Sequence, residues 1–182
     1  PEKFRTIYSG MDLEPFLRTD YDTAALKRHF GIRPDEPVVG KVARLAPLKG
    51  YEFFIRAISQ ILREVPKAKF LIVGDGPAAV DIRKRVREAG IQERVVFAGL
   101  VPNSMIPLYL AAMDVVVHAS LREGLARVIP QAMLMGKPVV AYGLDGTPEA
   151  IQDGLTGFIV PGESVRELAE RTVELLRDRL KA

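Results

Sequence analysis

The stretch DVVVHASLREGLARVIPQAMLMGKPVVAY (114–142) decides the fold. Two apolar runs rich in β-branched residues, VVVHAS (115–120) and PVVAY (138–142), stand in it on either side of a helix-like run. Neither apolar run alternates with polar residues. A strand of that kind is covered on both faces, which is the condition of a strand in a parallel sheet. Parallel neighbours need a crossover, and the segment between the two runs supplies it as a helix. The loop that leads into this helix holds Arg122, Glu123 and Gly124, and Gln131 follows Glu123 by eight positions. Pro130 fits the helix only within its first turn, because proline cannot donate the amide hydrogen that an interior position needs.

The same alternation extends in both directions. Upstream, VVGKVARL (38–45), KFLIVG (69–74) and VVFAG (95–99) read as strands. YEFFIRAISQILREV (51–65) reads as a helix with Phe54, Ile58, Ile61, Leu62 and Val65 on one face. PAAVDIRKRVREAG (77–90) reads as a helix closed by Gly90, and SMIPLYLAAM (104–113) as a shorter one. Downstream, a short helix over 147–154, a last strand GFIV (157–160) and a closing helix over 164–180 are expected. Near the start, DTAALKRHFG (22–31) reads as a helix and PEKFRTIYSG (1–10) as an apparent short strand. The fold class is therefore α/β: a doubly wound, Rossmann-like parallel sheet with helices on both faces. In the usual order 3-2-1-4, strands one and four flank the point where the order reverses, and ligands bind there, outside the carboxyl ends of the strands.

Composition removes several classes of function. A chain of 182 residues, 48% hydrophobic and 27% charged, suits one soluble domain with a substantial core. The net charge is only +3 and no long basic run stands out, which argues against a nucleic-acid partner. The densest cluster, DIRKRVREAG (81–90), mixes both signs at helical spacing and reads as a solvated helix face. No cysteine is present, so disulfides, thiolate ligands and cysteine nucleophiles are excluded. Two histidines are too few for a multi-histidine metal centre. No apolar run has the length of a membrane span, and PEKFRTIYSG has neither a signal-peptide pattern nor an initiating methionine. A piece of a longer protein is expected, and the default placement is cytoplasmic or membrane-peripheral.

The informative side chains lie in the loops that follow the strands. After the first comes ARLAPLKG, with Arg44, Lys49 and Gly50; after the second GDGP (74–77); after the fourth SLREG (120–124); and after the fifth GLDGTPE (143–149). A guanidinium fork, a lysine and a glycine at a helix start together suit a phosphate. Each residue also has an ordinary reading, with Arg44 and Lys49 as surface cations, Glu123 as a carboxylate at a helix start, and the glycines as turn residues. GDGPAA (74–79) fits the G-x-G-x-x-A dinucleotide pattern, but the acidic residue that should follow the next strand is replaced by GLVPN (99–103). Asp20-Tyr21-Asp22 has the form of a metal motif and reads better as a helix cap. His118 lies inside an apolar strand and reads as a satisfied core histidine.

Several linked motifs carry a resemblance. GKVARLAPLKG (40–50), LIVGDGP (71–77), VVFAG (95–99), REGLARVIPQAMLMGKPVVA (122–141) and DGTPEAIQDGLTGFIVP (145–161) occur in an order that resembles the C-terminal, donor-binding domain of family 4 glycosyltransferases, retaining enzymes of the GT-B fold. The start IYSGMDLEPF (7–16) is similar to the segment that enters this domain from the N-terminal one, which assigns 1–37 as an entry segment.

The resemblance implies the following roles. Arg44 and Lys49 hold the donor diphosphate and, with Glu123, carry the catalysis. Glu123, first of the E-x7-E pair, binds hydroxyls of the transferred sugar. Backbone groups of Gly124, Leu125 and Ala126 line sugar and phosphate, Gly74 stands among the donor-binding positions, and the loop at Leu100 and Val101 holds the base. Gln131 takes the second acidic position, where the family commonly has Glu on the ribose hydroxyls; an amide keeps an acceptor and adds donors but loses the charge-assisted strength of a carboxylate. The donor is a nucleoside-diphosphate sugar with no metal or other cofactor. The acceptor belongs to a missing N-terminal domain, through which peripheral membrane contact would be made. Two other readings stay open: a nucleotide-sugar-binding module without transfer, and a GT-B-like enzyme of other chemistry such as a sugar-nucleotide epimerase.

Overall fold

Short runs of valine, isoleucine and leucine build the sheet. A computed structural model describes residues 10–178, and among these six strands pair in one parallel sheet: β1 (Val38–Val42), β2 (Lys69–Val73), β3 (Val95–Gly99), β4 (Val115–His118), β5 (Val139–Tyr142) and β6 (Gly157–Val160). The order is β3-β2-β1-β4-β5-β6. The reversal expected from the sequence therefore falls between β1 and β4, where Val39 and Gly40 pair with Val115 and Val116. At the amino end of this seam Asp114 clasps β1 from both sides: its carboxylate accepts from the Val38 amide at 2.7 Å and its own amide donates to the Val38 carbonyl at 2.8 Å.

Successive strand residues point to opposite faces, so each face has its own core. Val39, Phe70, Ile72 and Val117 pack under α2 (Tyr51–Glu64), α3 (Ala79–Glu88) and α7 (Val165–Arg177), against Phe54, Ile58, Ile82 and Leu168. Val38, Leu71 and Val116 pack against Leu110 of α4 (Ile106–Ala111) and Ile129 of α5 (Val128–Leu134), with Leu26 of α1 (Thr23–His29) at the edge. Phe16, in the 3-10 turn Glu14–Leu17, joins this second core. Each fully buried side chain of this size contributes roughly 1.5–3 kcal/mol. Residues 1–9, and with them nearly all of the apparent strand at 1–10 and the first part of the 7–16 segment, lie outside the described residues.

Local chemistry explains the element ends. Asp22 caps α1 by accepting from the Ala25 amide at 2.9 Å, so the D-x-D triplet acts as a cap. Pro130 is the third residue of α5, inside its first turn. The expected helix at 104–113 divides into a 3-10 turn, Asn103–Met105, and α4, whose start is set by Pro107. The last short helix, α6 (Thr147–Ala150), is a single turn and not the eight-residue element expected. Beyond it Ile151 is extended and Asp153 turns to β6, accepting from the Ile159 amide at 2.8 Å. On α3 the mixed cluster forms exposed pairs, Arg85 with Asp81 at 2.7 Å and Lys84 with Glu88 at 3.6 Å, as a solvated face does. Among the described residues no helix is long and apolar enough to cross a membrane.

Candidate functional site

Three loops at the carboxyl ends of β1, β4 and β5 are tied to one another by backbone contacts. In the loop after β1, Leu48 and Gly50 both have positive φ, 65° and 63°. Leu48 offers its carbonyl to the Leu121 amide at 2.8 Å. Gly50 lies directly against the Ala119 carbonyl, so any Cβ there would collide with it. In the loop after β5, Asp145 (φ 51°) accepts from the Glu123 amide at 2.6 Å, and the Gly146 amide donates to the Gly124 carbonyl at 3.0 Å. These ties place Lys49 opposite Glu123. The two side chains form a direct hydrogen-bonded ion pair, with 24% and 23% of each exposed.

The pair stands in a cleft of about 870 Å³ that is lined, among others, by Arg44, Lys49, His118, Glu123, Ala126, Arg127 and Gln131. Met11, Asp12, Pro15 and Phe16, ahead of α1, also line it. An adjoining hollow of about 560 Å³ shares Arg44, Asn103 and Ile106 with the cleft and is lined further by Gly74, Leu100 and Val101. Volumes of this size accommodate small-molecule ligands. Leu100, 81% exposed, presents an apolar surface at the hollow.

Two buried basic groups complete the electrostatics. Lys41, in the middle of the apolar run of β1, is fully buried, with its ammonium 5.1 Å from the centre of the Tyr51 ring and 5.8 Å from that of Phe54. Burial pushes its pKa down to about 7, against the opposing pull of Glu123. His118, at the end of β4, is only 4% exposed, and its Nε2 lies 3.9 Å from Glu123 Oε1. Burial, with the charges of Lys41 and Lys49, pushes His118 down to about 3, so the ring is neutral at physiological pH.

Of the residues expected from the sequence, Arg44, Lys49, Glu123, Ala126 and Gln131 meet in the cleft, and Gly74, Leu100 and Val101 meet in the hollow beside it. Gly124 and Leu125 are exposed and line neither space; the Gly124 carbonyl is taken up by Gly146. Arg44 is exposed; its carbonyl accepts from the Ala46 amide at 2.9 Å, and its guanidinium has no hydrogen bond or ion pair among the described residues. The glycines of GDGP have a packing cause. A Cβ at Gly74 would strike the Ala43 carbonyl, and one at Gly76 the Leu45 carbonyl, so both allow the second loop to lie on the first. His118 corrects its sequence reading: it is buried but not satisfied, since its Nε2 has no partner among the described residues. Lys41 and Asp145 went unnoticed as candidates, the first because it interrupts a strand and the second because its partner is 22 positions away.

Comparison with known proteins gives the family of the chain. The family described as glycosyl transferases group 1 matches residues 36–178. The chain is 34% identical to the alpha-D-kanosaminyltransferase of Streptomyces kanamyceticus over 174 residues, which are 96% of this chain and 45% of that protein. It is 38% identical to the 2-deoxystreptamine glucosyltransferase of the same organism over 155 residues, 84% of this chain and 40% of that one. The crystal structure of Anabaena HepE in complex with UDP and glucose superposes with a TM-score of 0.88 at 32% identity, covering 97% of this chain and 48% of HepE. The chain thus spans about half the length of the relatives it matches. By sequence and by the fold that sets Arg44, Lys49 and Glu123 at one strand reversal, the chain belongs to the glycosyl transferases group 1 family.

Proposed function

We propose that this chain is the donor-binding half of a retaining glycosyltransferase and holds a nucleoside-diphosphate sugar in the cleft between the carboxyl ends of β1 and β4. The observation that carries this reading is the convergence of Arg44, Lys49, Glu123 and Gln131 in one cleft that continues into an apolar hollow. The base lies in the hollow against Leu100 and Val101, Gln131 takes ribose hydroxyls, and the diphosphate lies between Arg44 and Lys49. Glu123 takes hydroxyls of the transferred sugar. HepE, bound to UDP and glucose, supports a ligand of this class. The acceptor belongs to the part of the protein that this half-length chain does not span.

The physical case concerns where charge develops. Breaking the bond between sugar and diphosphate builds negative charge on the leaving group and positive charge at the anomeric carbon. Arg44 supplies a planar fork and Lys49 a mobile point charge against the first of these. They do so without a metal ion. The ion pair with Glu123 keeps Lys49 and the carboxylate compensated while no ligand is bound. On donor binding, Lys49 turns to the diphosphate and Glu123 to the sugar, so each half of the pair exchanges one charged or polar partner for another. A binding module without transfer draws its weight from Gln131 and from the half-length span of the chain, and turnover by the full chain separates the two readings.

A thermal-shift panel of nucleoside diphosphates and their sugars tests the donor site. A ligand at about 100 times its dissociation constant stabilises by about 2.7 kcal/mol, and a domain of this size moves about 2–4 °C per kcal/mol. A shift of several degrees with one base, reduced in Arg44→Ala, is the expected result. A flat panel with the full chain overturns the reading.

A further inference from the structure

We propose that His118 reads a hydroxyl of the sugar on the donor, sharing it with Glu123; the proposal rests on the donor reading of the cleft. His118 lines the cleft although 96% of its side chain is covered, the complement of its 4% exposure. Its Nε2 has no hydrogen-bond partner among the described residues. A buried polar atom left alone in this way costs free energy unless something that enters the cleft serves it.

The distance to Glu123 identifies what would serve it. At 3.9 Å, Nε2 and Glu123 Oε1 are too far apart to bond to each other. An oxygen placed about 2.9 Å from Nε2 and about 2.7 Å from Oε1 sees the two atoms at an angle of about 90°. A hydroxyl fits that position because it accepts from one neighbour and donates to another at a comparable angle. The charges fix the direction of the bonds. Glu123 meets Lys49 as an ion pair, so its group is a carboxylate that only accepts, and it accepts the hydrogen bond of the hydroxyl. His118 therefore donates from Nε2–H to the hydroxyl oxygen. A ring kept neutral by burial and by Lys41 and Lys49 can hold that tautomer without placing a third positive charge beside the pair.

Glu123, the residue assigned to the sugar, stands beside the His118 ring at 3.9 Å, which ties the ring to the sugar and not to the nucleotide. Recognition of one hydroxyl by a neutral donor and a carboxylate discriminates against a sugar lacking it, because the buried His118 donor would then be left unpaired.

The test is calorimetric titration of the full chain with the free nucleoside diphosphate, the matching nucleotide sugar and its singly deoxygenated analogues. Wild type should lose about tenfold in affinity for one deoxy analogue. His118→Ala should bind the parent sugar about tenfold more weakly and no longer distinguish that analogue, with affinity for the free diphosphate changed less than about twofold. His118→Gln, which keeps a donor, should recover part of the discrimination. Equal affinity of wild type for every deoxy analogue overturns the proposal without any variant. So does a His118→Ala protein that weakens sugar and free diphosphate alike, and in both of these outcomes the donor reading stands. If wild type binds no nucleoside diphosphate at all, the donor reading fails and takes the proposal with it.

Discussion

The two ends of the sheet treat their polar groups in opposite ways. At the amino end, polar groups are paired. Asp114 clasps β1, buried Glu36 accepts from the Arg33 amide at 2.8 Å and meets Arg94 at 3.5 Å, and Lys69 donates to the Glu93 carbonyl at 2.8 Å. At the carboxyl end, four buried polar atoms lack a hydrogen-bond partner among the described residues: Lys41 Nζ, His118 Nε2, Ser120 Oγ and the Tyr142 hydroxyl. Each such group costs roughly 1–3 kcal/mol. A fold that concentrates that cost at the end where its cleft lies has separated two tasks. The amino end fixes strand register, and at the carboxyl end His118, of these four, lines the cleft.

That comparison is most exposed to Arg44 and Lys49. In the full chain, Arg44→Ala or Lys49→Ala should lower turnover about 100-fold or more, the order of effect of removing one group that stabilises developing charge. The melting temperature should hardly move for Arg44→Ala, because the guanidinium is exposed and unpaired among the described residues. Near-normal turnover in both variants, measured by steady-state kinetics, would remove them from the chemistry. The reverse pattern belongs to Asp114. Asp114→Ala leaves the buried Val38 amide without its acceptor and should cost about 2 kcal/mol, seen as an earlier denaturant midpoint, with donor affinity unchanged. A fall in donor affinity as large as the fall in stability would show that the two ends are not separate.

Lys41 sharpens the comparison through pH. Burial lowers its pKa from 10.5 to about 7, so between those values the unfolded chain holds a proton that the folded chain lacks. Stability from this group therefore rises with pH across that window, and the penalty is complete below about pH 7. Wild type should gain about 1–2 kcal/mol between about pH 7 and about pH 9 relative to Lys41→Met, measured by urea denaturation at each pH. Parallel curves for the two proteins would mean that the ammonium is compensated in the fold. The smallest effect is expected at Gln131. Gln131→Glu places a charged acceptor at the position proposed for the ribose and should tighten donor binding by about threefold in calorimetry. Weaker binding would place the ribose elsewhere.

The sheet was legible because apolar runs without alternation admit few arrangements, and once β1 and β4 are neighbours their loops must converge. Arg44, Lys49, Glu123 and Gln131 were found through that logic and through their motif spacing. The ion pair between Lys49 and Glu123 was not, since each had been assigned to a ligand and the two stand 74 positions apart. Lys41 was hidden because a lysine inside VVGKV carries no local mark of burial; its cover comes from Tyr51 and Phe54, on α2. His118 was misread because an apolar run reports burial and says nothing about whether a ring nitrogen has found a partner. Single-turn α6 was overestimated since the bond from Asp153 to the Ile159 amide, which draws the chain away, joins residues of different elements.

The stapling of Leu48 to Leu121, Gly50 to Ala119, and Asp145 and Gly146 to Glu123 and Gly124 has a consequence for engineering. The three loops behave as one interchangeable cassette and not as three separate modules. Grafting the β4 loop of a relative alone, to import its sugar preference, would set a foreign backbone against the Leu48 carbonyl, Gly50 and Asp145. Transplants of 43–50, 119–127 and 143–147 together keep those contacts within the donor sequence, and so offer the shortest graft able to carry a preference across intact.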